Sequence, residues 1–261
     1  MARGAAFEVE PENAAGKAAI LLVCEHASNH VPAEYGQLGL PDGDLILHSA
    51  IDVGALPLAR RLAEALDAPL VTAQVSRLVI DPNRAHDAPD LIVTSAEGAP
   101  VPGNANLSAE DRADRIQRFH APFHRAIEKL LNARPDIIAY VAVHTFTPSL
   151  FGKARPWHVG ILHDDDTRLA DVLIEDLSKD KSLVVGDNEP YAPTDGVYYT
   201  AIRHARSRGI APVMIEVRND LLRSDEGVAQ WAERLSKALR IALAHVEAGS
   251  RGLDFKLVKR S

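Results

Sequence analysis

The sequence predicts a single α/β domain built on a mostly parallel sheet with helices on both faces. Three observations predict it. Short runs rich in Val, Ile and Leu recur along the 261 residues, longer amphipathic stretches separate them, and no repeat period or low-complexity tract marks a linker. Apolar runs without alternation are what strands covered on both faces require, and the stretches between them are long enough for helical crossovers. One large α/β unit can reach this length, so residues 1–261 are expected to form one domain.

In chain order, the first strand is expected at residues 18–24, apolar from Ala18 to Cys24. Asp44 reads as the N-cap of a helix running through Leu66. A second strand follows at 70–75. Residues 76–103, rich in Pro, Asp, Asn and Gly, read as a long loop, and such loops in a compact domain are usually functional. Ser108 stands three residues before Asp111, a capping-box pattern that predicts a helix through Leu131. Strands at 137–143 and 158–162, a helix at 166–178 and a short strand at 183–185 come next. A second loop at 189–197 leads into a helix at 199–208 closed by Gly209. A strand at 212–217 and a helix at 225–248 complete the alternation.

Composition removes several classes of function. The net charge is −7 with both signs interspersed, so no basic stripe is present to neutralise a phosphate backbone, and nucleic acid is not an expected partner. Cys24 is the single cysteine, which excludes an internal disulfide framework and any Cys-x-x-Cys metal pair and suits a reducing cytosol. Glu8, Glu10 and Glu12 fall within residues 1–12, where a signal peptide would need an apolar stretch. No later run approaches the roughly 20 apolar residues of a membrane span. A soluble, cytoplasmic protein with no membrane partner is expected, its oligomeric state left open.

In an open parallel sheet, ligands bind outside the carboxyl ends of the strands. There the sequence places Glu25-His26 after the first strand, Ser76-Arg77 after the second, His144-Thr145 after the third and Glu216 within the last. Neutral imidazole suits zinc, and two strands can hold two rings rigidly, so His26 and His144 are expected metal ligands. A catalytic zinc takes three protein ligands and keeps one open position. Asp52, four residues beyond His48 and so on its face of the expected helix, completes the count, with His48 or His158 as alternatives. Glu216 lies in an apolar strand, where a carboxylate without a partner would cost several kcal/mol, and a general base beside a metal resolves that cost. Arg77 and Arg84 sit in one loop with Asp81 and Asn83. Arginine grips carboxylates bidentately, so either could bind an acidic substrate while Asp81 orients the loop. The remaining histidines, His30, His86, His120, His124, His158, His163, His204 and His245, read as surface or packing residues.

Four ordered segments, Cys24-Glu25-His26-Ala27-Ser28-Asn29-His30-Val31-Pro32, Ser76-Arg77-Leu78-Val79-Ile80-Asp81-Pro82-Asn83-Arg84, Val143-His144-Thr145-Phe146 and Ile215-Glu216-Val217-Arg218-Asn219, together resemble the N-formylglutamate amidohydrolase family. The resemblance spans residues 18 to 245. It implies a zinc-exopeptidase-like fold, a single catalytic domain, dependence on a divalent metal such as zinc, and hydrolysis of N-formyl-L-glutamate to formate and glutamate, a late step of histidine catabolism. It implies the same roles: His26, Asp52 and His144 at the metal, Glu216 as base, and Arg77, Asp81, Asn83 and Arg84 at a small acidic N-acyl amino acid. Cys24-Glu25-His26-Ala27 and His144-Thr145 stand where the formylglutamate type has Pro-His-Ser-Gly and His-Ser, which leaves the acyl group open.

Two other readings compete. Cys24 with His26 or His144 as its base would make a metal-free amidase. A non-catalytic module would use the arginine loop only to hold an acidic metabolite.

Overall fold

The computed structural model describes residues 6–41 and 43–258. Residues 1–5, 42 and 259–261 of the expected domain, and with them the start of segment 1–12, lie outside the described residues. All six expected strands form: β1 (Ile20–Cys24), β2 (Leu70–Thr72), β3 (Ala139–Phe146), β4 (Val159–Leu162), β5 (Val185–Asp187) and β6 (Ala211–Arg218). They make one six-stranded sheet in the order β2, β1, β3, β6, β4, β5.

The first four of these are mutually parallel, but β4 runs antiparallel to β6 and β5 follows β4. The sheet is thus mostly parallel, as expected, and its one reversal, at β4, has a local reason. Between Phe146 and Val159 the chain holds only a small hairpin, Ser149–Leu150 against Lys153–Ala154. A parallel neighbour needs a crossover back to the opposite edge, usually a helix. Without one, β4 starts at the edge where β3 ended and runs the other way.

The helices are α1 (Ala55–Leu66), α2 (Ala109–Arg115), α3 (Ala121–Ala133), α4 (Ala170–Leu177), α5 (Tyr199–Ala205) and α6 (Asp225–Val258). One face of the sheet, carrying Leu22, Cys24, Val141, Val143, Val213 and Ile215, packs on Leu58 and Leu62 of α1, Leu173 of α4 and Leu235 and Leu239 of α6. The alternate residues Leu21, Val23, Tyr140, Ala142 and Met214 face Phe123 and Ile127 of α3 and Ala201 of α5. That alternation is the period-2 geometry of a strand, so Glu25, His144 and Glu216 belong by parity to the α3/α5 face while Cys24 belongs to the other. Each large side chain so buried stabilises the fold by about 1.5–3 kcal/mol.

Ser108 caps α2 as expected, accepting from the Asp111 N–H at 3.0 Å while Asp111 accepts from the Ser108 N–H at 3.2 Å. The helix expected from Asp44 does not form there. Asp44–Ile46 is a single 3-10 turn and α1 begins at Ala55. Tertiary bonds hold the intervening chain off the helix, since the Asp52 N–H donates to His26 O at 3.1 Å and Ser76 Oγ donates to Ala50 O at 2.8 Å. Gly54 then starts α1 at φ 86°, and a Cβ there would lie 2.6 Å from Leu222 Cβ. No other residue fits both demands.

Candidate metal centre and active site

His26 follows β1, His144 lies on β3 and Glu216 on β6, where Glu216 and His144 are register partners on adjacent parallel strands. Asp52, delivered by the irregular segment before α1, joins them. Its Oδ2 lies 3.3 Å from His26 Nδ1 and 2.9 Å from His144 Nδ1. The donor atoms of His26, Asp52 and His144 lie within 4.8 Å of one another, and all three residues are buried. The far nitrogen of each ring meets a second carboxylate: His26 Nε2 is 2.9 Å from Asp81 Oδ1, and His144 Nε2 is 2.9 Å from Glu25 Oε2. Both Nδ1 atoms thus converge while both Nε2–H groups are held from behind, the outer-shell arrangement that orients metal-ligating histidines.

This donor set fits a divalent ion. Two imidazoles and one carboxylate match a catalytic zinc site, and Glu216 Oε2 is buried beside them without a hydrogen-bond partner among the described residues. Of the alternative third ligands, His48 stands on the other side of Asp52, its Nδ1 3.6 Å from Oδ1. His158 is elsewhere, its Nδ1 accepting from the Val184 N–H at 2.9 Å.

The electrostatics follow from burying four acids together. Burial opposes charge on His144, but Glu25 and Asp52 on either side outweigh it and hold its pKa well above the usual value. Burial works against ionised Asp52 and Glu25 too, yet the flanking histidines keep both carboxyls below their ordinary range. Glu216 has less compensation. Burial pushes its pKa up to about 8, Asp52 adds to the rise and His144 and Arg77 subtract from it. A carboxyl poised near neutrality suits proton transfer in both directions.

The loop from Ser76 is packed, with Leu78, Val79 and Ile80 in a third apolar cluster with Leu91 and Phe119. Its arginines are occupied. Arg77 Nη2 bonds Asp81 Oδ2 at 3.1 Å and Nη1 reaches Asp52 Oδ1 at 3.5 Å, while Arg84 pairs with Asp90 through Nε and lies 3.8 Å from Asp81. Asp81 orients His26. Asn83 ties the loop to α5, donating to Val197 O and accepting from the Thr200 N–H at 3.1 Å. Arg77, Asn83 and Arg84 line a cavity of about 120 Å³ with His26, Asp52, His144, Tyr191 and Glu216. A wider recess of about 270 Å³ adjoins it, bounded by His48, Leu150 and Phe151. The four residues expected at the substrate thus stand at the site, but Asp81 and Asn83 use their polar atoms to hold it together.

Sequence reasoning missed Glu25, Thr200 and Tyr191. Glu25 adjoins His26 in the chain, a signal that could have found it, and it accepts from Thr200 Oγ1 as well as from His144. Tyr191 arrives because the chain at Glu189 crosses directly over Gly160 and Gly186, where any Cβ would collide with the Glu189 carbonyl.

Four of the histidines read as packing or surface residues form a connected cluster. His120 Nε2 donates to Arg84 O at 2.9 Å and His124 Nε2 donates to Pro82 O at 3.0 Å, pinning the same loop. Their Nδ1 atoms then accept from His86 at 3.0 Å and from His204 at 2.7 Å. Burial lowers the pKa of His120 to about 4 and of His204 to about 3, and lowers His124 strongly too. These rings stay neutral in the fold while the unfolded chain protonates near pH 6.5, so stability is full above that pH and is lost as pH falls toward 4. His144, with its raised pKa, works in the opposite sense and loses its contribution only as pH rises. The unfolding free energy of chelator-treated protein, read from urea titrations, is expected to fall between pH 7 and 5 by about 2 kcal/mol per buried histidine. A flat profile would contradict the neutral cluster.

Cys24 points into the α1/α6 core, and burial, with Glu25 and Asp52 adding, pushes its thiol pKa well above the usual value. A thiol held protonated and facing away from both histidines is a poor nucleophile.

A model of the N-formylglutamate amidohydrolase family matches residues 18–223. A gene product of Agrobacterium tumefaciens with a known crystal structure is 40% identical, with a TM-score of 0.89 over 94% of this chain and 97% of that one. An N-formylglutamate amidohydrolase from Ralstonia eutropha has the same fold at a TM-score of 0.63 and 20% identity, over 90% of this chain and 96% of its own. None of the curated proteins matches.

Proposed function

The chain belongs to the N-formylglutamate amidohydrolase family and is a hydrolase of amide C–N bonds, and on that premise we propose that it cleaves N-acyl amino acids with the help of a divalent metal, zinc first. The leading substrate is N-formyl-L-glutamate, giving formate and L-glutamate, which would place the enzyme in histidine catabolism in the cytoplasm. The observation that carries this reading is the convergence of two imidazole Nδ1 atoms on Asp52, with the buried Glu216 carboxyl in register with His144.

In this reading His26, Asp52 and His144 hold the ion, and residues 1–261 act as one catalytic domain. The ion would polarise the amide carbonyl and make water a better nucleophile at neutral pH. Glu216 accepts the proton of the attacking water as its oxygen joins the carbonyl carbon. It then gives that proton to the amide nitrogen as the C–N bond breaks, so one water is consumed and an acid and an amine leave. Asp81 and Glu25 keep the two rings oriented throughout, and Arg77, Asn83 and Arg84 line the cavity in which a small acidic substrate would sit.

The test is metal content of the purified protein, with N-formyl-L-glutamate hydrolysis measured before and after chelation. About one zinc per chain and turnover that chelation abolishes and zinc restores are expected. Bound metal without turnover of any N-acyl amino acid would leave a binding module, and turnover indifferent to chelation would overturn the metal role.

A further inference from the structure

Two arginines, Arg77 and Arg84, line the proposed active site and are already satisfied, and a third, Arg155, stands behind its Tyr191 wall. Arg77 is shared between Asp52 and Asp81, and Arg84 between Asp90 and Asp81. Arg155 differs. It is 8% exposed, and its guanidinium has no carboxylate partner among the described residues. It hydrogen-bonds the Tyr191 side chain, makes a long bond from Nη1 to Thr147 Oγ1 at 3.5 Å, and stands over the Tyr191 ring with its centroid 4.8 Å away and the Phe146 ring at 5.9 Å. Tyr191 is a wall of the cavity that holds His26, His144 and Glu216. Arg155 also lies close enough to Glu216 and His48 for its charge to act on both.

The backbone at this position is fixed. The Arg155 N–H donates to Pro148 O at 2.8 Å, and Arg218 Nη1 reaches Arg155 O at 3.4 Å. A cation kept out of water on aromatic faces is only partly compensated, because ring faces return less than a carboxylate fork does. Such a group, preorganised and short of an anion, is what a carboxylate-binding site requires.

We propose that Arg155 is the residue that grips the carboxylate of the N-acyl amino acid substrate. This rests on the hydrolase reading above. The scissile acyl group points to His26, Asp52 and His144, and the carboxylate lies against the Arg155 fork with Tyr191 between the two regions. Arg77 and Arg84 keep their own carboxylate partners, and Arg155 orients the acid.

The test compares zinc-loaded wild type, Arg155→Met and Arg155→Lys on N-formyl-L-glutamate and on its analogue with both carboxylates replaced by carboxamides. Arg155→Met is expected to raise KM for the acid by about 30-fold or more, to change KM for the diamide less than about threefold, and to leave zinc content unaltered. Arg155→Lys should recover part of the loss for the acid alone, since a point charge keeps attraction but not the fork. Equal losses on both substrates, or none on either, would overturn the proposal. Should wild type hydrolyse neither compound, calorimetry with N-acetyl-L-glutamate on the same proteins decides separately. Binding lost only in Arg155→Met supports the anchor though the reaction class is wrong, and unchanged binding overturns it.

Discussion

Glu216→Gln is expected to lower kcat by about 10²–10⁴-fold while zinc content stays at the wild-type level. The substitution keeps the volume of a side chain that is 4% exposed in β6 and removes only the ability to take a proton. It should not unfold the protein, because a buried carboxyl whose Oε2 has no partner among the described residues contributes little to stability. The loss corresponds to about 3–5 kcal/mol of transition-state stabilisation at 1.36 kcal/mol per decade. Turnover needs the carboxylate, so wild-type activity should also fall on the acid side, along a limb set by the Glu216 carboxyl, whose pKa burial raises in the metal-free fold. The variant should lack that acidic limb. A kcat within threefold of wild type would remove Glu216 from the proton-transfer role.

His144→Ala is expected to do more than weaken metal binding. In the metal-free protein the His144 ring bridges Asp52 Oδ2 and Glu25 Oε2, each at 2.9 Å, and those two carboxylates together hold it protonated. Removing it leaves two buried acids short of their shared cation. Breaking a buried pair from one side costs about 3–5 kcal/mol. Urea unfolding of chelated wild type and variant should show a loss of that size, and zinc in the purified variant should drop far below one per chain. A variant that is destabilised yet keeps full zinc would reduce His144 to a structural residue and move the ligand role toward His48.

Much of the fold could be read from local pattern. The six apolar runs all became strands, and the Ser108 box capped its helix. The start of α1 could not be read, because Asp44 is a good cap in isolation and only bonds from Asp52 and Ala50 to distant residues keep the chain off the helix. The direction of β4 was hidden too. It depends on whether residues 147–158 fold as a crossover or as a hairpin, and apolar content does not distinguish the two.

The site divides in the same way. His26, His144 and Glu216 were legible because a strand end needs no partner to be recognised and the carboxyl edge of a parallel sheet is where ligands bind. Asp52 was reached through a helical spacing that the structure does not contain, and it stands at the site because a tertiary bond to His26 O places it there. Arg77 and Arg84 were recognised as a pair of cations in one loop, whereas their commitment to Asp52, Asp81 and Asp90 appears only in three dimensions. Of the cluster of exposed His86 with buried His120, His124 and His204, only the four-residue spacing of His120 and His124 was visible in the chain, since the other members come from a loop and from α5.

Sequence by itself determined which segments are strands, that the chemistry gathers at one sheet edge, and which residue types stand there, because apolar periodicity and strand ends are properties of neighbours in the chain. Only the tertiary structure decided which acid faces which histidine, which arginines are already paired and that Arg155 has no carboxylate partner among the described residues. Charge pairing acts over a few ångströms between residues far apart in sequence, so its outcome is set by how the chain packs.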